Sequence, residues 1–144
     1  MNGGLNEKLR DKLSTFLSEY ENFDNTTGVL VCGSYITGNP SNHSDLDVHI
    51  ILNENTMYGE RGNRLIDDLL IGYFANPATQ IIKYFEDDLS KNKLMSQTQF
   101  ATGEIIFDKD GDVVKLKNKA IKMIDEFYEN KRNMVMSEKS KYRL

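Results

Sequence analysis

The sequence predicts an α/β (α+β) domain in which a small mixed β-sheet is flanked by helices. Apolar residues recur with helical spacing in several segments, and short β-branched runs lie between them, which gives the order α-β-α-β-β-α-β-α. The chain has 144 residues, enough for one domain with a substantial core. We expect a single domain over 1–144, with its core within about 5–130 and a helical extension over 131–144.

The first four elements follow from apolar spacing and from breakers. Residues 5–23 carry one apolar stripe and predict an amphipathic helix. The run VLVC (29–32) predicts a short buried strand, and GSYITG (33–38) predicts a short helix directly after it. NPSNHS (39–44) has the composition of a loop. DLDVHIIL (45–52) alternates polar and apolar residues, and its apolar second half favours a central strand.

The second half begins with a polar segment, 53–64, which is typical of a connection or of one arm of a hairpin. LLIGYF (69–74) predicts a third strand, entered through an acidic turn. Helical spacing follows over 78–95, and GEIIFD (103–108) predicts a fourth strand. From residue 113 onward the pattern predicts an amphipathic helix that continues through 136.

Composition and charge exclude several classes of protein. The net charge of −4, without a basic stripe, disfavours a long nucleic acid as partner. The single cysteine, Cys32, has no partner for an internal disulfide, which is typical of a reducing compartment. The first residues lack the pattern of a signal peptide, and no apolar run approaches the roughly 20 residues of a membrane span. We therefore expect a cytoplasmic protein with no membrane association.

Two short motifs carry chemistry, Gly33-Ser34 after the first strand and Asp45-x-Asp47 at the start of the second. A helix that opens at Ser34 would direct free backbone N–H groups outward, and such groups bind phosphates. Asp45 and Asp47 project from one strand face, roughly 7 Å apart along the strand. Their mutual repulsion raises the pKa of at least one carboxylate unless a divalent cation is bound. Mg²⁺ prefers carboxylate oxygens and completes its shell with water and phosphate, which points to a nucleoside triphosphate.

The stretch GSYITGNPSNHSDLDVHI resembles the signature of the DNA polymerase β-type nucleotidyltransferase superfamily. The spacing of Gly-Ser and Asp-x-Asp is similar to that of its small bacterial members, which include antibiotic nucleotidyltransferases and the minimal nucleotidyltransferases of toxin–antitoxin pairs. The resemblance implies a nucleotidyltransferase-like core in which Gly33, Ser34 and Thr37 bind the triphosphate. It also implies that Asp45 and Asp47 are catalytic residues that hold Mg²⁺ or Mn²⁺.

The family usually supplies a third carboxylate from the next strand, and here that position aligns with Gly72. Glycine weakens a strand interior and brings no ligand. Three interpretations follow. The chain is a binding-only member, or another acid such as Glu104 or Asp68 serves instead, or the alignment is shifted by some residues.

The other reactive residue types have plainer interpretations. His49 shares a face with the two aspartates, yet such a histidine more often packs or bonds to backbone than binds a ligand. Cys32 is expected to pack as a small apolar side chain. Asp108, Asp110 and Asp112 resemble the start of a calcium loop, but its twelfth position is Lys119, so we predict a turn.

Two functions remain in view. The first is transfer of a nucleoside monophosphate from ATP or another NTP to a hydroxyl of a small molecule, a protein or an RNA end. The second is a non-catalytic nucleotide-binding or antitoxin-like module that binds a partner protein, which Gly72 favours. The family analogy places acceptor contacts in C-terminal helices, and the chain ends at SEKSKYRL without a helix stop signal. We expect those helices to follow this segment or to come from a partner.

Overall fold

The computed structural model describes residues 5–38, 40, 45–56 and 59–141, with side chains described through residue 137. The strands are β1 (Thr26–Cys32), β2 (Leu46–Leu52), β3 (Glu60–Ile66), β4 (Leu69–Pro77) and β5 (Glu104–Asp108). The helices are α1 (Glu7–Glu19), α2 (Ser34–Thr37), α3 (Ala78–Ser90), α4 (Met95–Thr102) and α5 (Asp112–Lys141). The predicted mixed α/β architecture is confirmed.

The five strands form one sheet in the order β3-β4-β2-β1-β5. β2 pairs parallel to β4, whereas the β1–β2, β1–β5 and β3–β4 pairs are antiparallel. β2 is therefore the central strand, as its apolar second half predicts. Since side chains alternate along each strand, every strand sends one set of residues to each sheet face.

The first sheet face is covered by α1, and we call it the α1 face. The helix begins after Asn6, whose side chain accepts a hydrogen bond from the Leu9 amide, and its apolar stripe buries Leu13, Phe16 and Leu17. These residues pack on alternate positions of the central strands, including Val29, Val31, Leu46, Val48 and Ile50. Burial of such side chains contributes about 1.5–3 kcal/mol each.

The second sheet face carries Asp47, and we call it the Asp47 face. Helices α3, α4 and α5 cover its β1 side, where Leu30, Cys32 and Ile51 pack with Ile81, Phe85, Phe100, Val113 and Leu116. Over β3 and β4 the cover is incomplete, because Arg61 and Asn63 are exposed and Phe74 is only partly buried. The start of β2 therefore lies at the edge between a covered half and an open half of this face.

The polar segment 53–64 includes most of a β-strand and is therefore more than a simple connection. Residues 60–66 form β3, an edge strand that pairs antiparallel with β4 through a tight turn, so the hairpin-arm alternative is correct. Asp67 adopts a φ of 55° in this turn, a conformation that aspartate tolerates. Only Ile66 of β3 is buried, and its other residues are exposed or half-buried, so the strand has no apolar alternation and a weak sequence signal.

The single helix expected over 78–95 is wrong, since two helices occupy this region. α3 ends at Ser90, and Asn92 adopts the left-handed conformation with a φ of 61°. The Asp88 carboxylate accepts hydrogen bonds from the Ser96 amide at 2.8 Å and the Ser96 hydroxyl at 2.6 Å, which fixes the start of α4. The apolar spacing continues across the break, because both helices pack on one core.

The loop expected before β2, over 39–44 with His43, lies outside the described residues apart from Pro40. α5 runs beyond the expected residue 136 to Lys141. The Asp108 carboxylate accepts hydrogen bonds from the Val113 and Val114 amides, so this acidic segment is the predicted turn. Within the described residues, no helix is long and apolar enough to cross a bilayer.

Replacing Phe100 with alanine tests the packing of the helices on the Asp47 face. The ring is fully buried, and it contacts Phe85 and His49 with ring centroids 5.5 and 4.7 Å apart. We expect Phe100→Ala to lower the free energy of unfolding in urea by about 3–5 kcal/mol. Tyr84→Ala, at an exposed position of α3, should change it by about 0.5 kcal/mol or less. Equal losses in the two variants would contradict this description of the core.

Candidate active site

The backbone at Gly33 lies directly against the carboxylate of Asp47. Cys32, the last residue of β1, pairs with Asp47 in β2, so the following glycine lies beside the start of the central strand. Gly33 has a φ of 98°, which side-chain-bearing residues rarely adopt. A Cβ atom added there would lie 2.8 Å from Asp47 Oδ2. Glycine is required here both by the conformation and by the close approach.

The two aspartates differ in their surroundings. Asp45 is exposed, and Asp47 is partly buried. Burial raises the pKa of the Asp47 carboxyl, and the negative charge of Asp45 raises it further. The predicted repulsion therefore acts, although burial is the larger cause. The Asp47 carboxylate forms no hydrogen bond or ion pair with any residue that the structure describes, so its charge is uncompensated within this part of the chain.

Gly72 lies next to Asp47 on the neighbouring parallel strand. The two residues are register partners in the β2–β4 pair. A Cβ atom on Gly72 would lie 3.6 Å from Asp47 Oδ1. A side chain at position 72 would thus lie beside the Asp47 carboxylate. An additional acid at this site would have to occupy that position. Among the described residues, no group of three His, Cys, Asp or Glu side chains is arranged to hold a metal ion.

The two alternative acids weighed from the sequence lie away from Asp47. Glu104 pairs in register with Val31, whose side chain is on the α1 face, and its carboxylate binds Arg10 of α1 at 2.9 Å. Asp68 lies in the β3–β4 turn and forms an ion pair with Lys12 of α1 at 2.7 Å. Both acids are engaged by α1, so the interpretation that one of them replaces the third carboxylate is wrong for this arrangement.

The Gly-Ser motif opens a single turn of helix, α2. The Gly33 carbonyl accepts hydrogen bonds from the Ile36 and Thr37 amides at 3.0 and 3.1 Å. The Thr37 hydroxyl donates to the same carbonyl at 3.4 Å, whereas the Ser34 hydroxyl forms no hydrogen bond with the described residues. The structure therefore brings Gly33 and Ser34 next to Asp47 and places Thr37 one turn further along α2.

The buried histidine forms part of the wall behind Asp47. His49 Nε2 is 2.8 Å from the Gln99 side-chain oxygen, and its ring stacks on Phe74 and packs against Phe100. Burial lowers the pKa of the imidazole, and Nδ1 has no hydrogen-bond partner among the described atoms. These contacts favour the packing interpretation. Cys32 is buried as well, and burial raises the pKa of its thiol to about 12.

Two polar residues near Asp47 have no counterpart among the sequence-predicted site residues. Arg61 and Asn63 lie on β3 and pair with Phe74 and Gly72, so they face the same side of the sheet as Asp47. The Arg61 guanidinium lies 5.5 Å from the centre of the Phe74 ring. Their i, i+2 spacing is visible in the sequence, but only the strand order shows that both side chains lie on the sheet face of Asp47.

A family model described as the nucleotidyltransferase domain matches residues 10–132. The chain belongs to this family. The sequence gives no match among the curated proteins. The structure resembles the crystal structure of a nucleotidyltransferase-like protein from Exiguobacterium sibiricum 255-15, with a TM-score of 0.57 and 12% sequence identity.

That similarity covers 78% of this nucleotidyltransferase domain and 38% of the other chain, so the domain spans well under half of that protein. At 12% identity the similarity shows the fold alone. Family membership confirms the resemblance seen in the Gly-Ser and Asp-x-Asp motifs.

Replacing Asp47 with asparagine tests whether its charge is uncompensated. Because burial raises the pKa of Asp47 above the ordinary 3.8, folding favours the protonated carboxyl, so stability falls as pH rises from 3.8 to the folded-state pKa and the full cost of the charge is present above it. We expect Asp47→Asn to melt at a higher temperature than the wild type at neutral pH in chelator. This advantage should shrink as pH falls from the folded-state pKa toward 3.8, and it should be absent below 3.8, where the wild-type carboxyl is protonated in both the folded and the unfolded state.

The exposed Asp45 provides the matched control. Asp45→Asn should change the melting temperature less than Asp47→Asn at neutral pH. A wild type that melts above Asp47→Asn at neutral pH, with chelator present, would show that the carboxylate has a stabilising partner.

Proposed function

We propose that this nucleotidyltransferase domain transfers a nucleoside monophosphate from ATP or another NTP to a hydroxyl group, with a divalent cation held by Asp45 and Asp47. One observation carries the proposal: the partly buried Asp47 carboxylate, which has no partner among the described residues, lies between two glycines, with Oδ2 toward Gly33 and Oδ1 toward Gly72. Burying a charge without a partner is unfavourable. A cation on these oxygens would offset that cost, and neither glycine has a side chain to block its approach.

The residues present suit a hard cation such as Mg²⁺ or Mn²⁺. Asp45 and Asp47 offer carboxylate oxygens, which these ions prefer, and Mg²⁺ usually takes its remaining ligands from water and phosphate. When bound, such an ion would neutralise charge on the α-phosphate and on the leaving pyrophosphate. The raised pKa of Asp47 means that cation and proton compete for this carboxylate.

The Gly-Ser turn supplies the proposed contacts to the triphosphate. We assign Gly33 and Ser34 to the triphosphate, because the Gly33 backbone borders Asp47 and Ser34 follows it as the first residue of α2. Thr37 is assigned as a further contact at the end of α2. During transfer, the acceptor oxygen bonds to the α-phosphorus and loses its proton. The bond from that phosphorus to the bridging oxygen breaks, and pyrophosphate leaves.

The acceptor is a hydroxyl of a small molecule, a protein or an RNA end. The net charge of −4 disfavours a long nucleic acid. We place acceptor contacts partly outside the described site, in further helices or in a partner protein. The second half of α5 supports this placement, because it exposes Met134, Val135 and Met136. The buried free thiol of Cys32 suits the reducing cytoplasm expected from the sequence.

A second candidate function is a nucleotide-binding or antitoxin-like module without catalysis. The observation that favours it is Gly72, which leaves the position beside Asp47 without an acid. In this case the triphosphate would bind at Gly33 and Ser34 without transfer, and the apolar end of α5 would bind a partner protein. The two functions share the binding site and differ only in turnover.

Calorimetry of NTP binding tests the site that both functions require. We expect ATP, GTP, CTP or UTP to bind wild-type protein with Mg²⁺ or Mn²⁺ present and to bind far more weakly in EDTA. Asp45→Asn/Asp47→Asn should lose the metal-dependent part by at least about tenfold, since metal ligands are removed. Asp110→Asn, in the exposed turn after β5, is the control for loss of a carboxylate outside the site. Cation-dependent binding that survives in the double variant would refute the assignment.

Restoring a carboxylate at position 72 separates catalysis from binding alone. The position admits a side chain after a small shift of the exposed Asn63, whose Oδ1 would be 3.3 Å from the new Cβ. We expect Gly72→Asp to raise pyrophosphate release from NTP by on the order of 10²-fold if the site is a weakened catalyst. Gly72→Asn is the uncharged control of the same shape.

For a non-catalytic module, Gly72→Asp and Gly72→Asn should release pyrophosphate at the same background rate, while NTP binding persists. A Gly72→Asp variant with unaltered binding and unaltered release would also show that residue 72 does not reach the bound triphosphate.

A further inference from the structure

We propose that Asn63 supplies, from the edge strand β3, the oxygen ligand that Gly72 lacks. The inference rests on the proposed function, because it assigns a further residue to the same cation site. A Cβ atom on Gly72 would lie 3.3 Å from Asn63 Oδ1 and 3.6 Å from Asp47 Oδ1. An amide oxygen and a carboxylate oxygen therefore face one small space, which exists because residue 72 has no side chain.

The Asn63 side chain is free to act in this space. It is exposed, and it forms no hydrogen bond or ion pair with the residues that the structure describes. An asparagine with a structural role in a strand would normally satisfy its amide by capping a turn or bonding to backbone. Here its oxygen lies beside Gly72, in the space that the Asp47 carboxylate also borders.

The register of β3 holds Asn63 in place. Asn63 is the register partner of Gly72, and the preceding Gly62 is the partner of Tyr73. A Cβ atom on Gly62 would lie 2.6 Å from the Tyr73 hydroxyl oxygen, so only glycine lets the tyrosine ring lie flat across β3. Tyr73 in turn packs against Phe16 and Tyr20 of the α1 face, with ring centroids 5.3 and 5.6 Å apart. A slip of β3 by one residue would place a side chain on that ring.

The chemistry of an amide fixes what Asn63 contributes. Carbonyl oxygens are hard ligands that suit Mg²⁺ and Mn²⁺, and an amide carries no charge. An amide also takes no proton near neutral pH, so Asn63 acts as a ligand and not as a base. The site would combine two carboxylates with one neutral oxygen, and its affinity for a cation should rise when the neutral oxygen becomes a carboxylate.

Titration of Mn²⁺, followed by electron paramagnetic resonance of the free ion, tests the assignment. We expect Asn63→Ala to weaken Mn²⁺ binding about tenfold and Asn63→Asp to tighten it about tenfold relative to wild type. Asn118→Ala and Asn118→Asp, on the exposed side of α5, are the matched controls for truncation and for added charge, and both should bind as wild type. Thermal melts of all variants confirm folding.

Opposite shifts for Asn63→Ala and Asn63→Asp support a ligand, because a purely structural role would weaken binding in both. Wild-type affinity in Asn63→Ala, with binding lost in Asp47→Asn, would overturn this inference and leave the proposed function standing. Equal tightening by Asn63→Asp and Asn118→Asp would overturn it too, since bulk charge would then explain the effect. Absence of Mn²⁺ binding in wild type and every variant, with or without ATP, would overturn both.

Discussion

The carboxylate of Asp47 is held between two backbone segments that have no side chain, and the site depends on this placement. On one side the chain leaves β1 at Gly33 with a positive φ, and on the other the parallel strand β4 presents Gly72. Both contacts come from the pairing of β2 with its two neighbours. The position of β2 at the centre of the sheet is thus what turns an Asp-x-Asp segment into a site.

Partial burial of the Asp47 carboxylate carries an electrostatic penalty. Helices α3, α4 and α5 cover the β1 side of the Asp47 face and form a core around Phe85 and Phe100. The same helices reduce the exposure of the first residues of β2 to water. The pKa of Asp47 rises in consequence, and that of the neighbouring His49 falls. The core and the site are therefore linked, since the helices that stabilise the domain also make the unpaired carboxylate unfavourable without a bound cation.

The covered half of the Asp47 face forms the core, and the open half leaves polar side chains exposed near Asp47. Under the helices, His49 and Cys32 are buried, and burial disfavours their charged forms. Over β3 and β4, Asn63 and Arg61 stay exposed beside Phe74. Among the described residues, side chains fill the covered half, so the open half is the side from which a substrate can approach Asp47. The glycine at position 72 widens the approach, which is compatible with both proposed functions.

The sequence by itself determined the elements that depend on local pattern. Apolar spacing defined α1, α5 and the central strands, and the Gly-Ser and Asp-x-Asp motifs indicated the family. It also aligned Gly72 with the position of the missing third acid. The edge strand β3 was less visible, because its residues before Ile66 are exposed or half-buried and show no apolar alternation, and the break at Asn92 was hidden by continuous apolar spacing.

Only the tertiary structure decided which side chains reach Asp47. Glu104 and Asp68 are plausible ligands by residue type, yet strand register and α1 draw both to the other side of the sheet. Asn63, unremarkable in a polar segment, lies over Gly72 because β3 pairs with β4 in one register. The physical reason is that local sequence sets the alternation of side chains along a strand. Pairing between distant strands decides which residues then share a face and a position.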